Sequence, residues 1–171
     1  RLTLIFPCIS VGVSVPALKY SIIADVYERI EATTKRLEMT NYLVGLLKQT
    51  SKDVIDKVVY LTQGKLYPDF VGIEIGVAEK LAIRAVARAT GRDEKDTRED
   101  LRETGDLGET TQKFLEKKAQ AALIKEPLTV QKVYETLDRM AKTAGAGSME
   151  QKINSLAGLL ANSTPKEAKY I

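Results

Sequence analysis

Histidine and tryptophan are both missing from the 171 residues, and cysteine occurs once. Without histidine the chain holds no Ser-His-Asp or Cys-His catalytic set and no histidine-based zinc site. The lone Cys8 forbids an internal disulfide, which fits a reducing compartment. A large excess of one charge is lacking as well. Lys and Arg total 26 against 23 Asp and Glu, a net charge of +3. That excludes a polybasic tail but leaves room for a basic face set against an acidic one. The most apolar stretch, Leu2 to Val15, contains Pro7, Cys8 and Gly12 and is too short for a transmembrane helix. Residues 1–18 are expected to be an N-terminal extension, upstream or artificially added, with the folded pattern beginning near Lys19.

What is present is helical periodicity, and no convincing strand. Ile22, Ile23, Val26, Tyr27 and Ile30 form one stripe. Thr40 is expected to open a second helix carrying Leu43, Leu46 and Leu47. Ser51 is expected to cap a third, with Ile55, Val58, Val59 and Leu61, stopping at Gly64. Pro68 and Gly72 mark a connection. An Ala-rich helix with Val77, Leu81, Ala85 and Arg88 ends at Thr90-Gly91, and Asp93 to Glu103 reads as a solvated helix ended by Gly105. Phe114, Leu115 and Leu123 belong to another. Thr129 caps the stripe Val130, Val133, Tyr134, Leu137, Met140, Ala141, Ala144, and Met149, Ile153, Leu156, Ala157 and Leu160 form the next. Thr164-Pro165-Lys166-Glu167 has a capping residue, Pro at N1 and Glu at N3. That strong start is followed by less than two turns of chain, so the piece reads as cut from something longer.

The most informative element is the turn from Thr143 to Lys152. Gly145 is expected to end one helix and Ser148 to start the next, with Gln151 completing an S-x-x-Q capping box. Small residues let another backbone come close, and a fresh helix start offers N–H groups to an anion. Lys152 follows one turn later. This is the chemistry of a clamp on a phosphate backbone; a plain helix-to-helix turn is the competing reading.

A repeat supports the clamp. Asn41-Tyr42-Leu43-Val44-Gly45-Leu46-Leu47 matches Asn154-Ser155-Leu156-Ala157-Gly158-Leu159-Leu160. It occurs once, so it marks two related halves rather than a solenoid. The equivalent first turn is Thr33-Thr34-Lys35-Arg36. The expected fold is all-α, a multi-helix domain with two pseudo-symmetric halves.

In order along the chain stand Ile30 to Met39, Val59-Tyr60-Leu61, Pro68-Asp69-Phe70, Gly72-Ile73-Glu74-Ile75-Gly76, Ala85 to Gly91, Gly105-Asp106-Leu107-Gly108, the Gly145 to Lys152 turn and Ser163 to Ile171. Residues 19–171 thereby resemble the N-terminal DNA-binding domain of ATP-dependent DNA ligases, of the archaeal and eukaryotic replicative type. The resemblance implies a helical domain that grips nicked duplex DNA across the minor groove through paired helix-hairpin turns, without reading sequence. It implies Thr34 and Arg36 as DNA-binding residues in the first turn, and Gly145, Gly147, Ser148 and Lys152 in the second. Small residues and helix starts carry no base code, which agrees. Arg36 as an ion-pair partner of Glu31 or Glu38, and Lys152 as a solvated face, stay open.

The family's Lys-x-Asp-Gly adenylation motif is absent; Lys52-Asp53 and Lys95-Asp96 lack both its spacing and its glycine. The resemblance therefore implies no cofactor in this chain. ATP and Mg2+ would be used by the full-length ligase, in its adenylation and OB-fold domains. It implies nicked double-stranded DNA and those domains as partners, a sliding clamp as a further candidate, no membrane, a role in replication, repair and recombination, and an intracellular, cytoplasmic or nucleoid-associated site. Two other classes remain: an α-helical protein-interaction module without DNA binding, and a helical enzyme with an unrecognised carboxylate site.

Overall fold

The stripe beginning at Ile22 does bury one face of a helix, and the first core is built on it. The computed structural model describes residues 17–119 and 126–171. In α1 (Tyr20–Glu31) Tyr20, Ile23, Ala24 and Val26 are buried, with Ile22, Tyr27 and Ile30 half-buried beside them. There follow α2 (Arg36–Gln49), α3 (Ile55–Thr62), a 3-10 turn at Asp69–Val71, α4 (Glu79–Thr90), α5 (Glu94–Thr104), α6 (Leu107–Ala119), α7 (Val130–Lys142), α8 (Ser148–Asn162) and α9 (Pro165–Tyr170). Among the described residues the only β pairing is an isolated antiparallel bridge between Lys19 and Thr129, so the fold is all-α.

Two apolar clusters share α8. The first gathers Tyr20, Ile23 and Val26 of α1, Leu46 of α2, Val58 of α3 and Val130, Val133, Leu137 and Met140 of α7, with Leu159 of α8. The second joins Ala85, Val86 and Ala89 of α4 to Leu115 of α6, Ile153, Ala157 and Leu160 of α8, and Ala168 of α9. Fully burying a leucine such as Leu46 stabilises by about 2 kcal/mol relative to leaving it in water. Within the repeated segments Leu46 and Leu159 are both buried, whereas Val44 is exposed where Ala157 is buried.

Several helix boundaries follow their signals. The Thr129 side chain accepts from the Lys132 N–H, Thr164 and Glu167 form a complete capping box, and Gly91 and Gly105 close α4 and α5 in the left-handed conformation. Others do not. α2 begins at Arg36, and Thr40 lies inside it with its hydroxyl donating to the Arg36 carbonyl, which satisfies a helix-interior threonine. Ser51 is not the cap of α3. The Val54 N–H turns back onto the Ser51 carbonyl, and the helix starts only at Ile55.

The charged helix α5 is not wholly solvated. Thr97 and Asp100 are buried, and Asp100 pairs with Lys113 of α6, which raises the lysine's pKa. Met149 leaves its expected stripe and is exposed. Leu123 and residues 1–16 lie outside the described residues.

Candidate nucleic-acid interface

Two helix hairpins start from one pinned point. Tyr20 N–H donates to the Leu128 carbonyl at 2.8 Å, and Val130 N–H donates to the Leu18 carbonyl at 2.9 Å. The residues before α1 and α7 are thus tied together at the N-caps of both helices. α1 has 12 residues and α7 has 13. At roughly 1.5 Å per residue they run about 18 and about 20 Å from that tie. Both contribute to the same cluster along their length, from Tyr20 to Ile30 and from Val130 to Ala141. Each then turns into a partner helix, α1 into α2 and α7 into α8.

The first turn, residues 32–35, contains no glycine and is held by side chains. Thr33 Oγ1 accepts from the Lys35 N–H at 3.2 Å and donates to Glu38 Oε2 at 2.7 Å, while Lys35 Nζ meets Glu38 Oε1 at 2.8 Å. These contacts hold the Glu38 pKa below its usual value, Lys35 contributing most. Glu38 therefore does not pair with Arg36. Arg36 is the first residue of α2 and exposed; among the described residues neither it nor Thr34 makes a side-chain hydrogen bond or ion pair. Arg29, in the last turn of α1, lines a shallow hollow with Thr33, Thr34, Lys35, Glu38 and Tyr42.

The second turn, residues 143–147, is bare backbone. Gly145 and Gly147 take φ of +90° and +80°, and an added Cβ at either would meet nothing within 4 Å. The expected capping box does not form. Gly147 itself is the N-cap of α8, Ser148 is the first helical residue, and the Gln151 N–H bonds to the Gly147 carbonyl. A serine one position past the cap has helical backbone and cannot reach the amides of its own first turn. Gly145 also stands beyond the helix end, since α7 stops at Lys142 with Thr143 as its C-cap. Arg139, in the last turn of α7, is exposed as Arg29 is in α1.

Neither α2 nor α8 has a side-chain cap, in contrast to α7 and α9; α1, α3, α4 and α5 are also uncapped. In both hairpin helices the third residue is a glutamate; Glu38 folds back onto Lys35 and Thr33 of its own turn, whereas Glu150 is drawn sideways. Glu150 is held by Arg88 at 2.7 Å and Arg84 at 3.3 Å, which lowers its pKa, with Arg88 the main cause. A carboxylate that would otherwise cover the free amides is thereby partnered elsewhere.

Lys152 neither reaches the turn nor stands in solvent. Its Nζ donates to the Ile75 carbonyl at 2.9 Å and lies 2.8 Å from where a Cβ on Gly76 would sit. It ties α8 to the 64–78 segment, which with Met149 lines an open groove. That segment exposes Phe70, Val71 and Ile73. Sequence reasoning missed Arg29, Arg139 and the exposed apolar residues Leu37 and Met149. The arginines sit at helix ends, where a cation also complements the helix dipole, and so give no distinct signal. Among the described residues no group of three His, Cys, Asp or Glu is placed to hold a metal, and no helix is long and apolar enough to cross a membrane.

Residues 19–171 match the family described as DNA ligase N terminus. Among similar proteins, DNA ligase 2 of Thermofilum pendens is 50% identical over 161 residues, covering 90% of this chain and 27% of the relative. DNA ligase of Nitrosopumilus maritimus is 47% identical over 154 residues, 90% of this chain and 26% of the relative. DNA ligase of Thermococcus onnurineus is 39% identical, with 90% and 27% covered. The chain spans about a quarter of the length of these relatives.

Proposed function

The chain belongs to the family of DNA ligase N-terminal regions, and from that premise we propose that it binds nicked duplex DNA without regard to sequence. It does so through the phosphate backbone on the minor-groove side and holds the nick for ATP-dependent ligation. The observation that carries this reading is the pair of hairpins rising from the Lys19–Thr129 tie. Each ends in an uncapped helix start beside an exposed arginine, Arg29 or Arg139. Helix N-terminal amides and arginines bind phosphate and carry no base information. Thr34, Arg36, Gly145, Gly147 and Ser148 lie at the two starts. Lys152 contributes by holding the 64–78 segment against α8 through its hydrogen bond to the Ile75 carbonyl.

The chain has no Lys-x-Asp-Gly sequence. Adenylate formation, with ATP and Mg2+, is therefore the work of adenylation and OB-fold domains of the same ligase, inside the cell, in replication, repair and recombination. A sliding clamp is a further partner.

Titration of nicked, intact and single-stranded DNA tests the proposal. Binding should be independent of sequence, with log K falling against log salt by about 0.9 for each phosphate neutralised. A salt-independent affinity or a strong sequence preference overturns it. One observation favours a second use: the exposed Phe70, Val71 and Ile73 are the surface a protein-interaction module would offer. Binding to a protein partner with no affinity for DNA would establish that reading instead.

A further inference from the structure

We infer that Leu37 and Met149 are a matched pair of apolar contacts to the deoxyribose edges of the bound duplex, one at each turn. This rests on the DNA-binding reading above and names what the turns touch besides phosphate. Both residues are the second residue of the second helix of a hairpin: Arg36-Leu37-Glu38 opens α2 and Ser148-Met149-Glu150 opens α8. Leu37 is 81% exposed and Met149 66%, and among the large apolar side chains described only Phe70 is more exposed. Neither belongs to either core cluster, although Leu46 and Leu159 of the same helices are buried.

Direction decides what they meet. The Cα–Cβ bond in a helix tilts toward the N-terminus, so a side chain at the second position leans forward past the first turn. It leans toward whatever group rests on the first-turn amides. Glu150 is drawn off to Arg84 and Arg88 of α4, whereas Glu38 folds back onto Lys35 and Thr33 of its own turn, leaving Leu37 exposed beside it. On a nucleic-acid backbone the neighbours of a phosphate are pentose rings, whose C–H edges line the minor groove. Leucine or methionine against such an edge removes apolar area from water on both sides, and the thioether adapts to an irregular surface. A ribose 2′-hydroxyl at that edge would lose water without gaining a partner. The pair thus favours deoxyribose at two fixed positions, one at each turn.

The inference separates from the charge contacts by salt dependence. Leu37→Ala and Met149→Ala should each weaken binding of the full chain to a nicked DNA duplex by about fivefold, from partial loss of one apolar contact. The slope of log K against log salt should stay at the parent's value. Arg36→Ala should instead flatten it by about one unit. Both positions are exposed, so thermal melts should be unchanged.

The second arm uses nicked duplexes carrying a single ribonucleotide, moved one position at a time. The parent should lose affinity at a discrete position on each side of the nick. Leu37→Ala should erase one sensitivity and Met149→Ala the other. If the parent binds DNA with a steep salt slope but both variants bind as it does, or if the ribonucleotide scan is flat, the inference fails alone. If the parent does not bind duplex DNA, the functional reading fails first and takes this inference with it.

Discussion

The two turns do one topological job with opposite chemistry. Residues 32–35 form a side-chain scaffold, in which Thr33, Lys35 and Glu38 lock one another and every φ stays negative. Residues 143–147 form a backbone scaffold, with two left-handed glycines and space around both. Among the described residues the first leaves Arg36 without an ion pair at the mouth of its helix. The second leaves bare peptide, with Lys142 drawn to Asp138 and Lys152 to Ile75, and Arg139 of the last turn of α7 exposed. On the proposed reading, the first turn would meet a phosphate chiefly with the Arg36 side chain and the second chiefly with backbone amides. Substitutions that cripple one should scarcely matter at the equivalent place in the other.

Glycine gives the sharpest contrast, because this fold uses it in two ways. At Gly108 a Cβ would stand 2.4 Å from the Lys169 carbonyl oxygen, a backbone atom that cannot swing away. Gly108→Ala forces α6 from α9 and should cost roughly 1–3 kcal/mol, the usual range for overpacking. At roughly 2–4 °C per kcal/mol for a chain of this size, calorimetry should show the largest drop in Tm of any variant here. DNA affinity of the folded fraction should be kept. Gly147→Val should reverse the pattern. The left-handed backbone costs a β-branched residue about 1–2 kcal/mol, and the side chain would fill the space left open for the proposed DNA contact. Binding should fall by more than stability. If Gly147→Val melts and binds as the parent does, the bare-backbone account of the second turn is wrong.

Next in size are the side chains of the first turn. Arg36→Ala removes charge without opening a cavity. It should weaken binding by several-fold and flatten the salt slope by about one unit, with an unchanged melt. Thr33→Val removes a hydroxyl that both accepts from Lys35 and donates to Glu38. It should lower Tm by a degree or two and weaken binding less than Arg36→Ala does. Equal effects of the two would mean that turn geometry, not the cation, carries the first contact.

The smallest expected effect is on pH dependence. Glu38 and Glu150 have pKa values below the usual carboxylate range, set by Lys35 and by Arg88 respectively. A depressed folded-state pKa adds stability that is fully present above the unfolded value. It is lost as pH falls through the folded one, so loss begins below about pH 4. Both carboxylates face solvent, so the effect is small. Glu150→Gln should make the Tm profile between pH 3 and 5 slightly flatter, and an unchanged profile would remove these pairs from the account.

How much of this was legible in the sequence depended on whether the signal was local. Thr129, Thr164 with Glu167, Gly91 and Gly105 act within one turn of the chain, and all stand where expected. The α7 stripe was legible for the same reason from Val130 to Ala141, but Ala144 lies beyond the helix end and is exposed. The start of α2 was not, because Arg36 carries no capping signal and its turn is set by Thr33 and Lys35 acting on Glu38. Ser148 resembled a cap by spacing alone, but the left-handed Gly147 takes that position.

The burial of Thr97 and Asp100 depends on α6 packing over a charged helix, a tertiary effect that composition conceals. Met149 fits its stripe by period yet sits in the first turn of α8, exposed at the edge of the groove formed with the 64–78 segment. For the candidate site, Thr34, Arg36, Gly145, Gly147 and Ser148 lie at the two turns as read. The hydrogen bond from Lys152 to a carbonyl 77 positions away had no sequence signature.

The central claim is that two chemically different turns hold one duplex. Hydroxyl-radical footprinting of a nicked duplex tests it most directly. The account predicts two protected minor-groove patches, one on each side of the nick. Arg36→Ala should fade one patch and Gly147→Val the other. A single patch, or two patches that neither variant changes, would contradict it.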